Sequence, residues 1–436
     1  MSDLTIDPVR GRFAATVTPP GSKSLTNRAL VLAALAAGTC GLSNVLVADD
    51  TEVMLESLGR LGFALAIDRD AGTVGVHGRA GRIDAEVAAL FCANSGTTIR
   101  FLTALCALGH GRFTLDGVAR MRQRPIGALT SLLKTLGARV SHPEREGFPP
   151  VHIEADGLAG GTIRYGSEAS SQYLSAILMI APYARTEVRI DLAPAQTSWP
   201  YVAMTTQLME RFGITPELVR APATGLPRRI IVPRGVYAPT RYAVEPDASN
   251  AGYFLAAAAV NPGSKVTIEG LGPSSLQGDV GFAHILHRMG ADLVFGDAGI
   301  TVTGRDTLDG IDVNLSDMPD MAQTLGVVCV FAAGPSTIRG LHTLRVKETD
   351  RIAALTTELQ KLGAVVDVDG DAVTITPPAR GPLGPAAIDT YDDHRMAMSF
   401  AVAGTRARDI TIRNVECVSK TYPGFFHDLK TVTTTG

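Results

Sequence analysis

Tryptophan occurs once in 436 residues, at Trp199, and cysteine five times. Cys40, Cys92, Cys106, Cys329 and Cys417 form no CxxC pair and mostly lie in apolar runs, so they read as reduced core thiols of a cytoplasmic protein. No run of about 18 apolar residues is present, and no membrane span is expected. Asp3 and Asp7 come early with no apolar segment behind them, so no signal peptide is expected. The formal charge is −3. That argues against nucleic acid as a partner and requires any anion site to be a local concentration of cations. No metal-ligand cluster is evident, and neither metal nor cofactor is expected. A P-loop is excluded as well, because Lys23 follows Ser22 where that motif needs a glycine.

What is present is a repeat. Hydrophobic content of 45% and 19% charged residues suit a soluble globular chain, and the length suits two domains. Amphipathic helices closing on glycine recur at Gly62, Gly137, Gly213, Gly290 and Gly363, spaced 73 to 77 residues apart. A sixth, Phe425 to Lys430, fits the interval without the glycine. Each unit carries an earlier helix that is apolar nearly all round and should be buried: 29–37, 101–108, 173–181, 253–260, 321–333 and 396–403. β-type runs such as Lys265–Ile268 follow most of them. Six units of two helices and several strands predict an α/β fold, three units to a domain. The Pro- and Gly-rich stretch 233–240 is the expected boundary.

Polar clusters precede the buried helices: Ser22–Arg28, Asn94–Arg100, Ser170–Gln172, Asp247–Asn250, Asp317–Asp320 and Asp392–Arg395. Helix capping accounts for the Ser, Asp and Asn, but does not require Lys23, Arg28, Arg100, His394 or Arg395. The amphipathic helices open similarly, at Arg120–Pro125, Ser198–Tyr201, Arg345–Arg351 and Ser419–Pro423. Helix N-termini and cations on one face suit a small, multiply anionic ligand bearing phosphate or carboxylate. Asp320 and Glu348 stand among these cations. They are a cap and a surface ion pair on one reading, and proton movers on the other.

Taken together, Pro20–Ser24 with Asn27-Arg28, Asn94–Thr97, Arg124-Pro125-Ile126, Ser170–Gln172, Arg345–Arg351 and Asp393–Met398 resemble the 5-enolpyruvylshikimate-3-phosphate synthases of the enolpyruvyl transferase family. The matches span nearly the whole chain in order. The resemblance implies two inside-out α/β barrel-like domains hinged across a cleft, the chain crossing between them twice: residues 21–238 form one, and 1–20 with 239–436 the other. It implies transfer of the enolpyruvyl group of phosphoenolpyruvate to the 5-hydroxyl of shikimate 3-phosphate through a tetrahedral intermediate, within aromatic amino acid biosynthesis.

Carried over by resemblance, Ser24, Arg28, Ser170, Ser171, Gln172, Ser198, Tyr201, Asp320 and Lys347 hold shikimate 3-phosphate. Lys23, Asn94, Gly96, Arg124, Gln172, Arg351, Arg395 and Lys420 surround phosphoenolpyruvate. Asp320 takes the hydroxyl proton, Glu348 serves C3, Lys347 touches the reacting hydroxyl, and Lys23 and His394 complete the catalytic set. The resemblance makes glyphosate an inhibitor at the phosphoenolpyruvate site, with a methyl on Gly96 expected to enter space that only the inhibitor fills. Thr343 stands where relatives often have Asn, and Phe101 where many have Pro. The sister enzyme acting on UDP-N-acetylglucosamine typically has Cys or Asp at the position of Ala119, and Lys-Asn where Lys23-Ser24 stands. A non-catalytic phosphometabolite sensor would tolerate loss of Asp320 or Glu348, and both are present. A monomer is expected.

Overall fold

The computed structural model describes residues 2–166, 170–194, 198–379 and 384–435. Twelve α-helices lie among them: α1 Lys23–Leu35, α2 Asp49–Arg60, α3 Gly96–Cys106, α4 Gly127–Thr135, α5 Ser171–Ile180, α6 Trp199–Arg211, α7 Ala248–Val260, α8 Phe282–Arg288, α9 Ala322–Cys329, α10 Arg351–Lys361, α11 His394–Gly404 and α12 Phe425–Thr434. α1, α3, α5, α7, α9 and α11 are buried nearly all round. A fully buried Leu, Ile, Val or Phe in them stabilises by about 1.5–3 kcal/mol. The intervening helices bury one face only.

Most of the buried helices start several residues before their apolar runs, because a polar side chain ahead of the run caps the helix. Ser22 accepts from the Leu25 amide, Ser170 from Gln172, Asp247 from Asn250 and Asp393 from Arg395. The charged residues between cap and apolar run therefore sit in the first helical turns. Two clusters differ from expectation. Ser95 makes no cap bond, and the short 3-10 turn Pro319–Met321 leads into α9. The amphipathic helices α4, α10 and α12 begin later than expected, since 3-10 turns Met121–Gln123, His342–Val346 and Val415–Lys420 occupy the stretches before them. The helices α2, α4, α6, α8 and α10 each end before a glycine of positive φ: Gly62, Gly137, Gly213, Gly290 and Gly363.

The strands form six sheets. Five share one pattern: a parallel outer pair, then two antiparallel pairings. In one, Val87–Phe91 runs parallel to His110–Asp116, which pairs antiparallel with Val151–Asp156 and that with Arg139–Ser141. The sixth has three strands, Leu4–Ile6, Ile410–Ile412 and Ala386–Ile388. Two strands are exchanged. Ala14–Val17 precedes α1 but pairs with Lys265–Ile268 after α7, while Arg241–Ala243 precedes α7 but pairs with Thr39–Ser43 after α1.

The chain divides into two compact units, residues 21–244 and residues 1–20 with 245–436. The division thus falls at 244/245 rather than at 238/239, because Arg241–Ala243 is hydrogen-bonded into the sheet of Thr39–Ser43. In the first unit α3 packs on α1 and α5; in the second, α7, α9 and α11 pack on one another. Each core is therefore helical, with the sheets around it, which explains why these helices lack a polar face.

Candidate active site

In the unit of residues 21–244, the first turns of α1, α3 and α5 carry the predicted ligands. Lys23 Nζ lies 3.2 Å from Asp50 Oδ2. Arg28, five residues on, is 1% exposed and donates only to neutral oxygens: Nε to Thr205 Oγ1 (2.7 Å), Nη1 to the Ser24 carbonyl (2.9 Å), Nη2 to Ser175 Oγ (3.1 Å) and the Tyr201 carbonyl (3.3 Å). Burial pushes its guanidinium down to about 10. Tyr201 thus meets Arg28 through its backbone. Arg124 Nη1 donates to both the carbonyl (2.9 Å) and Oδ1 (3.1 Å) of Asn94. Gln172 donates to Thr97 Oγ1 (3.1 Å) and accepts from Arg100 Nη1 (3.0 Å). Ser171 is buried at the first position of α5, and Ser170 is its cap. Ser198, ahead of α6, holds φ 54° and ψ 43°, a left-handed backbone unusual for a residue with a Cβ.

Gly96 corrects an expectation. A Cβ built there would lie 2.4 Å from Arg100 Nη1 and 2.4 Å from Arg124 Nη2. The position needs glycine because two guanidiniums close over it. A methyl would first displace those side chains rather than enter open space.

The second unit gathers the rest. Arg351 opens α10, is 1% exposed and is surrounded by three carboxylates. Nε and Nη2 grip Asp393 at 2.7 and 3.1 Å, Nη2 also reaches Glu348 Oε2 at 3.0 Å, and Nη1 reaches Asp320 Oδ1 at 3.1 Å. Burial alone would lower its pKa, but Asp393, then Glu348 and Asp320, outweigh that and raise it. Asp320 also accepts from Arg395 Nη2 (2.9 Å) and Lys347 Nζ (3.4 Å). Lys420 Nζ stands 4.0 Å from Glu348 Oε1. His394 is 1% exposed, with Nδ1 3.6 Å from Asp393 Oδ1. All of the predicted residues of this unit converge, so Asp320 and Glu348 are neither a simple cap nor a surface pair. Thr343 is buried, and its hydroxyl has no partner among the described residues.

Sequence reasoning assigned no role to Asp50, Arg100, Ser175, Thr205, Asp393 or Asp279. Arg100 carried a signal: it is a charge inside a helix otherwise apolar, and it ties Gly96, Gln172 and the Pro125 carbonyl together. Asp279 is 4% exposed, accepts from Ser249 Oγ, and is pushed up to about 6 by burial and then by Asp320. Nothing in the stretch Gln277–Phe282 distinguishes it from a surface turn.

A family model described as EPSP synthase (3-phosphoshikimate 1-carboxyvinyltransferase) matches residues 9–429. Curated proteins named 3-phosphoshikimate 1-carboxyvinyltransferase are similar along their whole length. That of Burkholderia ambifaria is 46% identical, covering 95% of each chain, and that of Shewanella halifaxensis is 42% identical, covering 98% of each. The solved EPSP synthase of Acinetobacter baumannii superposes with a TM-score of 0.81 at 27% identity, covering 99% of this chain and 98% of that one. The enolpyruvyl transferase NikO of Streptomyces tendae shares the fold, with a TM-score of 0.76 at 19% identity over 99% of this chain and 97% of its own.

Proposed function

The chain belongs to the EPSP synthase family, and from that premise we propose how its residues perform the family's transfer. The protein is an enolpyruvyl transferase of the shikimate pathway. It joins the enolpyruvyl group of phosphoenolpyruvate to the 5-hydroxyl of shikimate 3-phosphate and releases phosphate. The sister activity on UDP-N-acetylglucosamine is not favoured. One observation carries the assignment of roles: Asp320 and Glu348 share the buried guanidinium of Arg351, with Lys347, Arg395 and Lys420 around them.

The reaction needs two proton movements and much charge neutralisation. In the addition, Asp320 accepts the proton of the 5-hydroxyl as the oxygen attacks C2, with Lys347 beside it to steady the developing negative charge. Glu348 delivers a proton to C3, turning methylene into methyl. In the elimination a methyl proton returns to the protein as the C2–O bond to phosphate breaks, regenerating the enol double bond. Arg351, Arg395 and Lys420, with Lys23, Arg124 and Asn94, neutralise the carboxylate and phosphate of phosphoenolpyruvate. Gln172 orients it, and Gly96 leaves room for Arg124. Arg28 and Ser24 hold the shikimate ring, with Ser170, Ser171, Ser198 and Tyr201 at its phosphate. His394, buried against Asp393, supports the carboxylate that grips Arg351.

Phosphate release from purified protein tests the reading. It is expected only with both substrates present. Release with UDP-N-acetylglucosamine in place of shikimate 3-phosphate would transfer the assignment to the sister activity.

A further inference from the structure

Arg28 raises a problem that its hydrogen bonds alone do not solve. It is 1% exposed, and among the described residues no carboxylate faces it. A guanidinium has five N–H donors, and the four bonds to Thr205, Ser24, Ser175 and Tyr201 use four of them. Among the described residues, one hydrogen on Nη1 finds no acceptor. A buried cation normally needs an opposite charge, or its desolvation goes uncompensated.

The compensation comes from an aromatic ring. Phe101 is fully buried in α3, which packs on α1, and the Arg28 Cζ stands 5.2 Å from the centre of its ring. The negative face of a benzene ring attracts a cation, most strongly where water is excluded. It does so without neutralising it. A carboxylate in the same place would satisfy Arg28 and weaken its attraction for an anionic ligand. A proline or an aliphatic residue there would fill space but offer no quadrupole.

We infer that Phe101 is a positioning residue for substrate: its ring holds the Arg28 guanidinium in place and partly compensated, leaving the charge and the remaining N–H to the shikimate moiety. This rests on the reading that Arg28 holds shikimate 3-phosphate. The effect belongs to binding of that substrate and not to the chemical step, since Arg28 is assigned to the shikimate ring and to neither proton movement.

The test uses the full-length protein with mono-, di- and trifluorinated phenylalanine incorporated at position 101. Fluorination keeps the ring's shape and progressively weakens its negative face. The KM for shikimate 3-phosphate is expected to rise stepwise, reaching about 3- to 30-fold at full substitution, the span that a desolvated cation–π contact corresponds to. The kcat and the phosphoenolpyruvate KM should stay within about twofold, since binding lost equally from the ground and transition states raises one KM and leaves kcat alone. Phe101→Leu, which keeps a buried apolar side chain, should match the trifluorinated protein, and Phe101→Tyr should fall near the natural chain. A shikimate 3-phosphate KM indifferent to fluorination overturns the inference. Arg28→Ala is measured in parallel. If it raises that KM while fluorination does not, the role of Phe101 fails alone; if it leaves the KM unchanged, the reading of Arg28 fails and the inference with it.

Discussion

Arg28 and Arg351 are both 1% exposed, yet they are buried in opposite ways. Arg28 is caged by hydroxyls, carbonyls and a ring, and its pKa is pushed down to about 10. Arg351 is caged by Asp393, Glu348 and Asp320, and its pKa is raised. The difference is one of purpose. A neutral cage keeps a cation's charge for a ligand. An anionic cage shares that charge: the same guanidinium fixes carboxylates that must move protons from defined positions, and the phosphoenolpyruvate anion adds to them.

The comparison breaks most visibly on removing each arginine. Arg351→Met leaves the buried Asp393 and the partly buried Glu348 and Asp320 without their shared cation, and should cost about 3–5 kcal/mol of stability along with nearly all activity. Arg28→Met leaves only neutral acceptors, and should cost about 1–3 kcal/mol. Denaturant midpoints of both variants measure this, and equal losses would erase the distinction. Asp320→Asn and Glu348→Gln should lower kcat by about 10²–10⁴ with substrate KM values within several-fold, as expected for positioned proton movers. Near-normal kcat in both would return them to structural roles. Gly96→Ala should weaken glyphosate and also raise the phosphoenolpyruvate KM several-fold, because its methyl displaces the Arg124 guanidinium. An unaltered KM would mean that Arg124 yields freely.

An effect confined to a narrow pH window sharpens the anionic side. Asp279 titrates at about 6 in the fold against an ordinary 3.8, through burial first and then Asp320, with Arg395 and Asp247 also acting on it. A raised carboxyl favours the folded state only while protonated, so its contribution is full below about pH 4 and is lost as pH rises through 6. Asp279→Asn removes that dependence. Its stability relative to the natural chain should rise between pH 4 and 6 by about 2–3 kcal/mol and level off above, read from denaturant melts across pH. A flat difference would show that Ser249 and Arg395 hold the carboxylate charged at no cost.

Much of this was legible in the chain, and for stated reasons. Apolar runs without a polar face announce buried helices, and glycines at a 73–77 residue spacing announce their amphipathic companions, because both signals are local. The converging residues of the second unit were readable through their motifs. Less legible was the domain boundary, since a strand of three residues, Arg241–Ala243, is recognisable only by the partner it finds. Gly96 was misjudged for a similar reason. That two guanidiniums lie over its α-carbon depends on rotamers of residues 4 and 28 positions away.

By itself, the sequence determined which helices form, which of them are buried, and which charged side chains stand near their starts. Capping, periodicity and glycine conformation act over a few residues and leave their record there. Only the tertiary structure decided what each charge faces: Arg351 with Asp393, 42 positions apart, and Arg28 with Thr205, 177 apart and with Phe101 beneath it. Helical periodicity says which face of a helix turns inward but not which helix will meet it. Whether a buried arginine finds carboxylates or a ring is therefore settled when the helices pack.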